Sequence, residues 1–128
     1  MKKYDYIILG TGPAAYQLIK LLATQHKSIL VVESGLFGGT CPNVGCEPKI
    51  YLDGAVQAIL SSRQFEKEGI ISQIGKLNWS QLMKEKKERF ASWPNETRKN
   101  ISKISDVISG SAHFVDRQTI EVNRQYFQ

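Results

Sequence analysis

The chain has 128 residues, of which 41% are hydrophobic and 23% are charged, a composition that predicts an ordinary globular domain and excludes a low-complexity or fibrous chain. Seventeen Lys and Arg residues against twelve Asp and Glu give a net charge of +5. The basic excess lies between Lys76 and Lys103, where the run Lys84–Arg89 mixes both signs, so we predict a solvated helix face and no nucleic-acid partner.

The N-terminus lacks the pattern of a secretory signal. Met1 to Lys3 precede a short apolar run, but Asp5 interrupts that run and a glycine turn follows it. No apolar stretch reaches the ~18 residues that a membrane-spanning helix needs. We therefore predict a cytoplasmic protein with no membrane partner. In that compartment, two nearby cysteines are more often reactive or metal-binding than structural.

The beginning of the chain predicts one βαβ unit. Residues 4–9 end in a continuous apolar run that is typical of a buried parallel strand. A glycine turn over 10–15 follows, and residues 16–26 then place apolar side chains at helical spacing. Residues 28–33 form a second apolar run that ends on an acid. Strand, turn, helix and strand predict a right-handed crossover within a parallel sheet.

The glycine turn has the spacing of a dinucleotide-binding loop. Gly10 permits a tight turn, Gly12 lets the backbone approach a pyrophosphate, and Ala15 lets the helix pack closely on the strand. Pro13 suits the first helical turn, whose free amides and dipole favour a phosphate. Glu33, at the end of the second strand, can accept hydrogen bonds from a ribose. A glycine turn that only packs is the alternative, but it leaves Glu33 unexplained.

Residues 38–49, GGTCPNVGCEPK, contain both cysteines of the chain, Cys41 and Cys46. We predict a glycine-rich loop before Cys41, a turn over 42–45 and a helix that begins at 46–48. Cys46 then lies near a helix N-terminus, where the dipole favours a thiolate.

Three kinds of site could use two cysteines at this spacing. A zinc site is disfavoured, because zinc usually takes four ligands and the two histidines, His26 and His113, are distant from the cysteines in the sequence. A purely structural disulfide around so short a loop would restrain little of the unfolded chain. A dithiol that opens and closes beside a bound dinucleotide fits best, and Lys49 adds positive charge nearby. We therefore predict redox chemistry and no metal site.

The second half predicts a long helix that begins near Asn78 or Ser80, either of which can cap it. One helical stripe collects its apolar residues, which are Met83, Phe90, Ile101, Ile104 and Ile108. Pro94 should kink or break this helix, because it removes a hydrogen bond and clashes with the preceding turn. Beyond it, residues 106–115 and 119–122 flank a turn and predict a small β-hairpin or meander.

Taken together, these features resemble the flavin-dependent pyridine nucleotide–disulfide oxidoreductases, a family that includes glutathione reductase, trypanothione reductase, dihydrolipoamide dehydrogenase and mercuric reductase. The resemblance lies in residues 10–15, in Glu33-Ser34, and in residues 38–49, which match the family form GGTCxNxGCxPK. It extends more loosely to residues 110–114 and 119–122.

The resemblance implies an α/β fold, with a Rossmann-like FAD-binding βαβ unit on a parallel sheet, a long helix and a small terminal β-hairpin or meander. Residues 1–128 would be the N-terminal part of a discontinuous FAD-binding domain. The residues that it assigns to FAD are Gly10, Gly12, Pro13, Ala14, Glu33, Ser34, Gly39, Thr40, Lys49 and Ala112.

The resemblance also assigns catalytic roles to three residues. Cys46 would be the thiol beside the flavin, which takes electrons from the reduced ring. Cys41 would be the exposed thiol that attacks the substrate disulfide. Lys49 would lie near the reactive nitrogen of the flavin and tune its charge.

In the full-length protein, NAD(P)H would reduce FAD, FAD would reduce the dithiol, and the dithiol would reduce a small disulfide. Pro48-Lys49, which follows the second cysteine with only Glu47 between, favours glutathione reductase, so we predict glutathione as the substrate. Pro42 and Glu47 replace residues that are commonly apolar in the family, so the surface presented to the substrate can differ. Dihydrolipoamide dehydrogenase, mercuric reductase, a stand-alone FAD-binding or redox-sensing module, and a metal-binding interaction domain are the alternatives.

Three features of the family are absent from this sequence: a second GxGxxG for the nicotinamide cofactor, a late Gly-Asp segment over the flavin, and a C-terminal domain with a His-Glu pair. His26 and His113 are expected to be surface or packing residues. We therefore expect an N-terminal fragment that is inactive alone and holds FAD weakly or not at all. The full-length protein is expected to be a homodimer through a domain that this chain lacks.

Overall fold

A computed structural model describes residues 1–128. Its eleven elements are β1 (Tyr6–Leu9), α1 (Pro13–Thr24), β2 (Ile29–Glu33), α2 (Thr40–Asn43), α3 (Cys46–Lys67), α4 (Trp79–Phe90), α5 (Trp93–Ile101), β3 (Asp106–Ser109), β4 (Ala112–Phe114), β5 (Ile120–Val122) and β6 (Gln125–Phe127). None of these helices combines the length and the apolar character that crossing a membrane requires.

The first three strands form a parallel sheet in the order β1-β2-β3. Tyr6 pairs with Ile29, and Leu30 pairs with Asp106. Every residue of the central strand β2 is buried, because a parallel sheet is covered on both faces. The predicted α/β fold with a parallel sheet is thus confirmed.

Helices cover one face of the sheet. Ile29 and Val31 of β2 pack in one apolar cluster with Ile19 and Leu22 of α1 and with Ile101 of α5. The helical spacing of Ile19 and Leu22 gives α1 the apolar stripe that this face buries.

The other face of the sheet is covered by a meander of β4, β5 and β6. Alternate β2 residues, Leu30 and Val32, pack here with Ile120, Val122 and Phe127. The strands are antiparallel, so His113 lies opposite Glu121, and Glu121 lies opposite Tyr126. The predicted meander is confirmed for β4 and β5, with β6 as an additional strand. Residues 106–109, which were assigned to it, lie instead in the parallel sheet as β3.

The long helix predicted for the second half is broken next to Pro94, as expected, but two residues assigned to its apolar stripe lie outside it. It is divided into α4 and α5, and Pro94 is the second residue of α5, where its missing N–H costs no hydrogen bond. The predicted start is confirmed, since the Asn78 side chain accepts a hydrogen bond from Gln81 N at 3.0 Å. Ile104 and Ile108 do not belong to the helical stripe, because α5 ends at Ile101 and Ile108 lies in β3. The β-branched Val107 and Ile108 suit a strand, and the edge of β2 offers them a parallel partner.

Candidate functional site

The glycine loop after β1 and the loop before α2 touch through their backbones. Gly39 has φ +69°, and a Cβ added there would lie 2.9 Å from Gly12 Cα. No side chain can stand between these two glycines. The contact places the predicted phosphate loop and the cysteine segment side by side at the carboxyl edge of the parallel sheet.

A buried hydroxyl joins the same two loops. The Thr11 hydroxyl donates to Glu33 Oε2 at 2.5 Å and accepts from Gly38 N at 2.9 Å. The amide of Thr11 donates to the same Glu33 oxygen at 2.9 Å. Thr11 is only 1% exposed, so this bridge is shielded from water and fixes the loops to the end of β2.

Thr11 was missed by the sequence analysis, which treated it as the variable position between two glycines. The sequence does contain a signal for this role. A hydroxyl residue directly after one parallel strand is expected to lie near the acid that ends the neighbouring strand. Thr11 links the two loops only because Gly38 N–H also reaches its hydroxyl. No local sequence pattern predicts that contact.

We expect Thr11→Val to lower the free energy of unfolding by about 2–3 kcal/mol, because it leaves Gly38 N–H buried without an acceptor and removes a donor from Glu33. Thr11→Ser keeps the hydroxyl and should retain most of the stability. Urea unfolding of the three proteins measures the difference. Equal stability of the Val and Ser variants would show that the bridge is dispensable.

Glu33 is buried and already accepts three hydrogen bonds from its own chain. In addition to the two from Thr11, Gly35 N donates to Oε1 at 2.8 Å. An ionised carboxylate offers about four acceptor positions. The Glu33 carboxylate therefore has about one acceptor position left for the predicted hydrogen bond from a ribose.

The glycine loop presents free amides to open space. The amides of Gly12, Ala14 and Ala15 donate to no acceptor in the chain. A Cβ added at Gly10 or Gly12 would meet no atom within 4 Å. Unpaired amides at the N-terminus of a helix attract an anion, so this end of α1 has the donors that a pyrophosphate requires.

A cavity of about 510 Å³ adjoins this loop. Its walls bring together four residues assigned to FAD from the sequence, namely Gly10, Glu33, Ser34 and Ala112, and they also include His113. These residues come from the ends of β1, β2 and β4, which are far apart in the sequence.

The two cysteines lie on successive helices, and the turn predicted over 42–45 is wrong in part. Thr40–Asn43 forms the one-turn helix α2, which contains Cys41. The Asn43 side-chain amide stabilises this turn by donating to Phe37 O at 2.9 Å and Gly39 O at 2.8 Å. Helix α3 begins at Cys46 as predicted.

Both cysteines are free thiols. A hydrogen bond with the Cys46 thiol, followed by desolvation, raises the pKa of Cys41 above its ordinary value. The two thiols therefore interact, and the ionisation of one opposes that of the other.

The relative exposure of the thiols differs from the expectation. Cys41 was expected to be the exposed thiol, but it is half-buried and Cys46 is exposed. A close turn brings Gly45 against Cys41, since a Cβ added at Gly45 would lie 3.4 Å from Cys41 Cα. Cys46 opens α3, whose N-cap Gly45 has no side chain to cover it.

Lys49 is exposed on α3, three residues beyond Cys46. Residues at this spacing lie on the same face of a helix. The lysine and the exposed thiol therefore face the same side of the site.

The family model for pyridine nucleotide-disulphide oxidoreductases matches residues 4–127. The chain belongs to this family. Dihydrolipoyl dehydrogenase of Mycoplasma genitalium is 37% identical over 94% of this chain and 27% of its own length. Mercuric reductase of Bacillus cereus is 32% identical over 94% of this chain and 19% of its own length. The chain thus spans about a fifth to a quarter of these two curated oxidoreductases.

The fold has a counterpart among solved structures. The Cu(II) complex of the HOCl-induced flavoprotein disulfide reductase RclA from Escherichia coli superposes with a TM-score of 0.72. The match covers 99% of this chain and 27% of that one, at 24% sequence identity. At this identity the likeness concerns the fold, and it agrees with the Rossmann-like parallel sheet of this family.

Proposed function

We propose that this chain is the FAD-binding, redox-disulfide segment of an NAD(P)H-dependent flavoprotein disulfide reductase. The observation that carries the proposal is the close approach of the Gly39 and Gly12 backbones, where a Cβ added at Gly39 would lie 2.9 Å from Gly12 Cα. It joins an anion-binding loop to a pair of neighbouring thiols in a single site, as electron transfer from a bound dinucleotide to a disulfide requires.

The residues present fit FAD. Free amides at the start of α1 suit its pyrophosphate, the cavity beside Glu33 suits its adenosine, and the exposed face shared by Cys46 and Lys49 suits its flavin. When bound, FAD supplies the two electrons that open the disulfide. The residues that would hold it are Gly10, Gly12, Pro13, Ala14, Glu33, Ser34, Gly39, Thr40, Lys49 and Ala112.

The protein's own sulfurs then carry out the exchange. The Cys41 thiolate attacks one sulfur of the substrate disulfide, which forms a mixed disulfide and releases the first thiol product as a thiolate that takes up a proton. The Cys46 thiolate next attacks the Cys41 sulfur, re-forms the Cys41–Cys46 disulfide and releases the second product. Two electrons pass from the dithiol to the substrate, and the dithiol becomes oxidised.

We propose a low-molecular-weight disulfide as the substrate. Glutathione is the candidate that Pro48-Lys49 favours. Because Pro48 is buried, it cannot touch the substrate, and it can affect substrate binding only through the position of α3. The names of the curated relatives make lipoamide a second disulfide candidate and Hg(II) an alternative acceptor that is not a disulfide. We further propose that the whole enzyme is cytoplasmic and homodimeric.

The test uses the enzyme that contains this chain, purified with FAD bound. We expect NADPH or NADH to be oxidised when oxidised glutathione, lipoamide or Hg(II) is added, and one of the three to be preferred. Failure to oxidise either nucleotide with any acceptor would overturn the proposal. The 128-residue chain alone should be inactive and bind FAD more weakly than micromolar; sub-micromolar binding would contradict an incomplete FAD site.

A further inference from the structure

A cleft of about 710 Å³ lies between α4, the start of α3 and the loop before α2. The apolar residues that line it are Leu36, Pro48, Met83, Phe90 and Pro94. It shares no lining residue with the cavity at Glu33 or with the cleft that borders Cys41. None of the residues assigned to FAD or to catalysis lines it, so it is a separate surface of the molecule.

Three lysines of α4, Lys84, Lys86 and Lys87, also line this cleft. At 3.6 residues per turn, the glutamates of the same run, Glu85 and Glu88, lie on the other side of the helix, and no acidic residue lines the cleft. The solvated face predicted for this run from the sequence therefore describes the two exposed glutamates. It does not account for lysines grouped beside an apolar floor.

The charges of these lysines are largely available to a ligand. Lys86 and Lys87 form no salt bridge within the chain. Lys84 approaches Glu88 at 4.0 Å, but the two side chains are 65% and 61% exposed, and water screens an exposed pair of this kind. The cleft thus offers positive charge at its edge and apolar surface inside it.

The aromatic content of the cleft distinguishes between two kinds of anionic partner. Phe90 is the one aromatic residue that lines it, and it already packs edge-on with Trp93 and Tyr51, at centroid distances of 4.7 and 6.1 Å. Single-stranded nucleic acids bind on several aromatic side chains, on which successive bases stack. The cleft lacks such a row, and apolar side chains flanked by carboxylates complement it better.

We propose that this cleft docks an acidic, amphipathic segment of a partner protein. The apolar side chains of the segment would cover the floor, where Leu36 is 55% exposed, and its carboxylates would meet the three lysines. The inference does not depend on the chemistry proposed for the dithiol, because the cleft contains no residue of that site.

The test uses the complete protein that contains this chain and a fluorescein-labelled peptide of about twelve residues, in which Leu recurs at helical spacing between Glu residues. Fluorescence anisotropy should show saturable binding with a dissociation constant below about 1 mM. Added salt should weaken it, because the Debye length falls from about 10 Å at 0.1 M to about 3 Å at 1 M. A peptide with Lys in place of Glu should not bind, and one with Ser in place of Leu should bind more weakly.

The triple variant Lys84→Gln/Lys86→Gln/Lys87→Gln should bind the acidic peptide about tenfold more weakly, because each exposed charge pair contributes about a twofold factor. Glutamine retains the helix propensity of lysine, so thermal unfolding should be unchanged. The matched control removes the same charge from exposed lysines outside the cleft, namely Lys27→Gln, Lys67→Gln and Lys99→Gln. Its affinity should stay within about twofold of the wild type.

Leu36→Ser tests the apolar floor and should weaken binding about threefold, because the peptide no longer covers a leucine there. Absence of saturable binding, or equal weakening by the two triple variants, would overturn the inference. Tighter binding of a single-stranded RNA of the same length, lost on removal of the same three lysines, would overturn it in favour of a nucleic-acid site. The peptide controls use the unmodified protein, so they decide the matter even where a variant fails to fold.

Discussion

Cys41→Ser in the complete enzyme should abolish disulfide reduction while reduction of the flavin by NAD(P)H persists. A serine hydroxyl cannot form the mixed disulfide with the substrate, whereas Cys46 and the cradle for FAD are untouched. Loss of a covalent nucleophile costs about 10³-fold or more in turnover. Steady-state assays measure the first effect, and stopped-flow absorbance of the flavin measures the second.

The control for this prediction is Cys46→Ser, which leaves Cys41 free to form the mixed disulfide but removes the thiol that resolves it. We expect the substrate to remain bound to Cys41 in that variant, as a mass increase on the protein. Turnover that survives Cys41→Ser would refute the assignment of Cys41 as the attacking thiol, and loss of flavin reduction would show that Cys41 also supports the FAD site.

Gly39→Val should separate the two loops on which the site depends. At φ +69° a β-branched residue is strained, and its Cβ would lie 2.9 Å from Gly12 Cα, which is backbone and cannot move aside. Strain and overpacking of this kind together cost about 3 kcal/mol or more. We expect a corresponding loss in the free energy of unfolding, and loss of FAD from the complete enzyme.

Gly54→Ala is the matched control for the loss of a glycine. Gly54 lies within α3, where a Cβ would meet no atom within 4 Å, and alanine favours a helix by about 0.5–1 kcal/mol over glycine. This variant should be slightly more stable than the wild type and keep FAD. A Gly39→Val protein that unfolds like the wild type and retains FAD would show that the close approach of the loops is unnecessary.

The sequence was sufficient for the parts of the fold that local patterns determine. The apolar runs of β1 and β2, the helical spacing of Ile19 and Leu22, and the turn between them are all readable from residue type. The start of α3 at Cys46 was predicted for the same reason, because a glycine before it and Pro48 within its first turn mark a helix N-terminus.

Features that depend on distant partners could not be predicted. Val107 and Ile108 pair with β2 in the parallel sheet, whereas the run of residues 106–109 does not by itself indicate which sheet it joins. The turn before β6 uses Asn123 and Arg124 at φ 51° and 63°, a hairpin conformation usually signalled by glycine. Thr11 became important only through Gly38, and the exposure of the thiols depends on how α2 closes against Gly45.

The most direct test of the account is to count the electrons that the FAD-containing enzyme accepts from dithionite under anaerobic conditions. If the Cys41–Cys46 disulfide exchanges electrons with the flavin, the oxidised wild type should take up four electrons per subunit, two for FAD and two for the disulfide. Cys41→Ser and Cys46→Ser should each take up two. Uptake of only two electrons by the wild type, with FAD fully bound and both cysteines oxidised at the start, would contradict a redox disulfide beside the flavin.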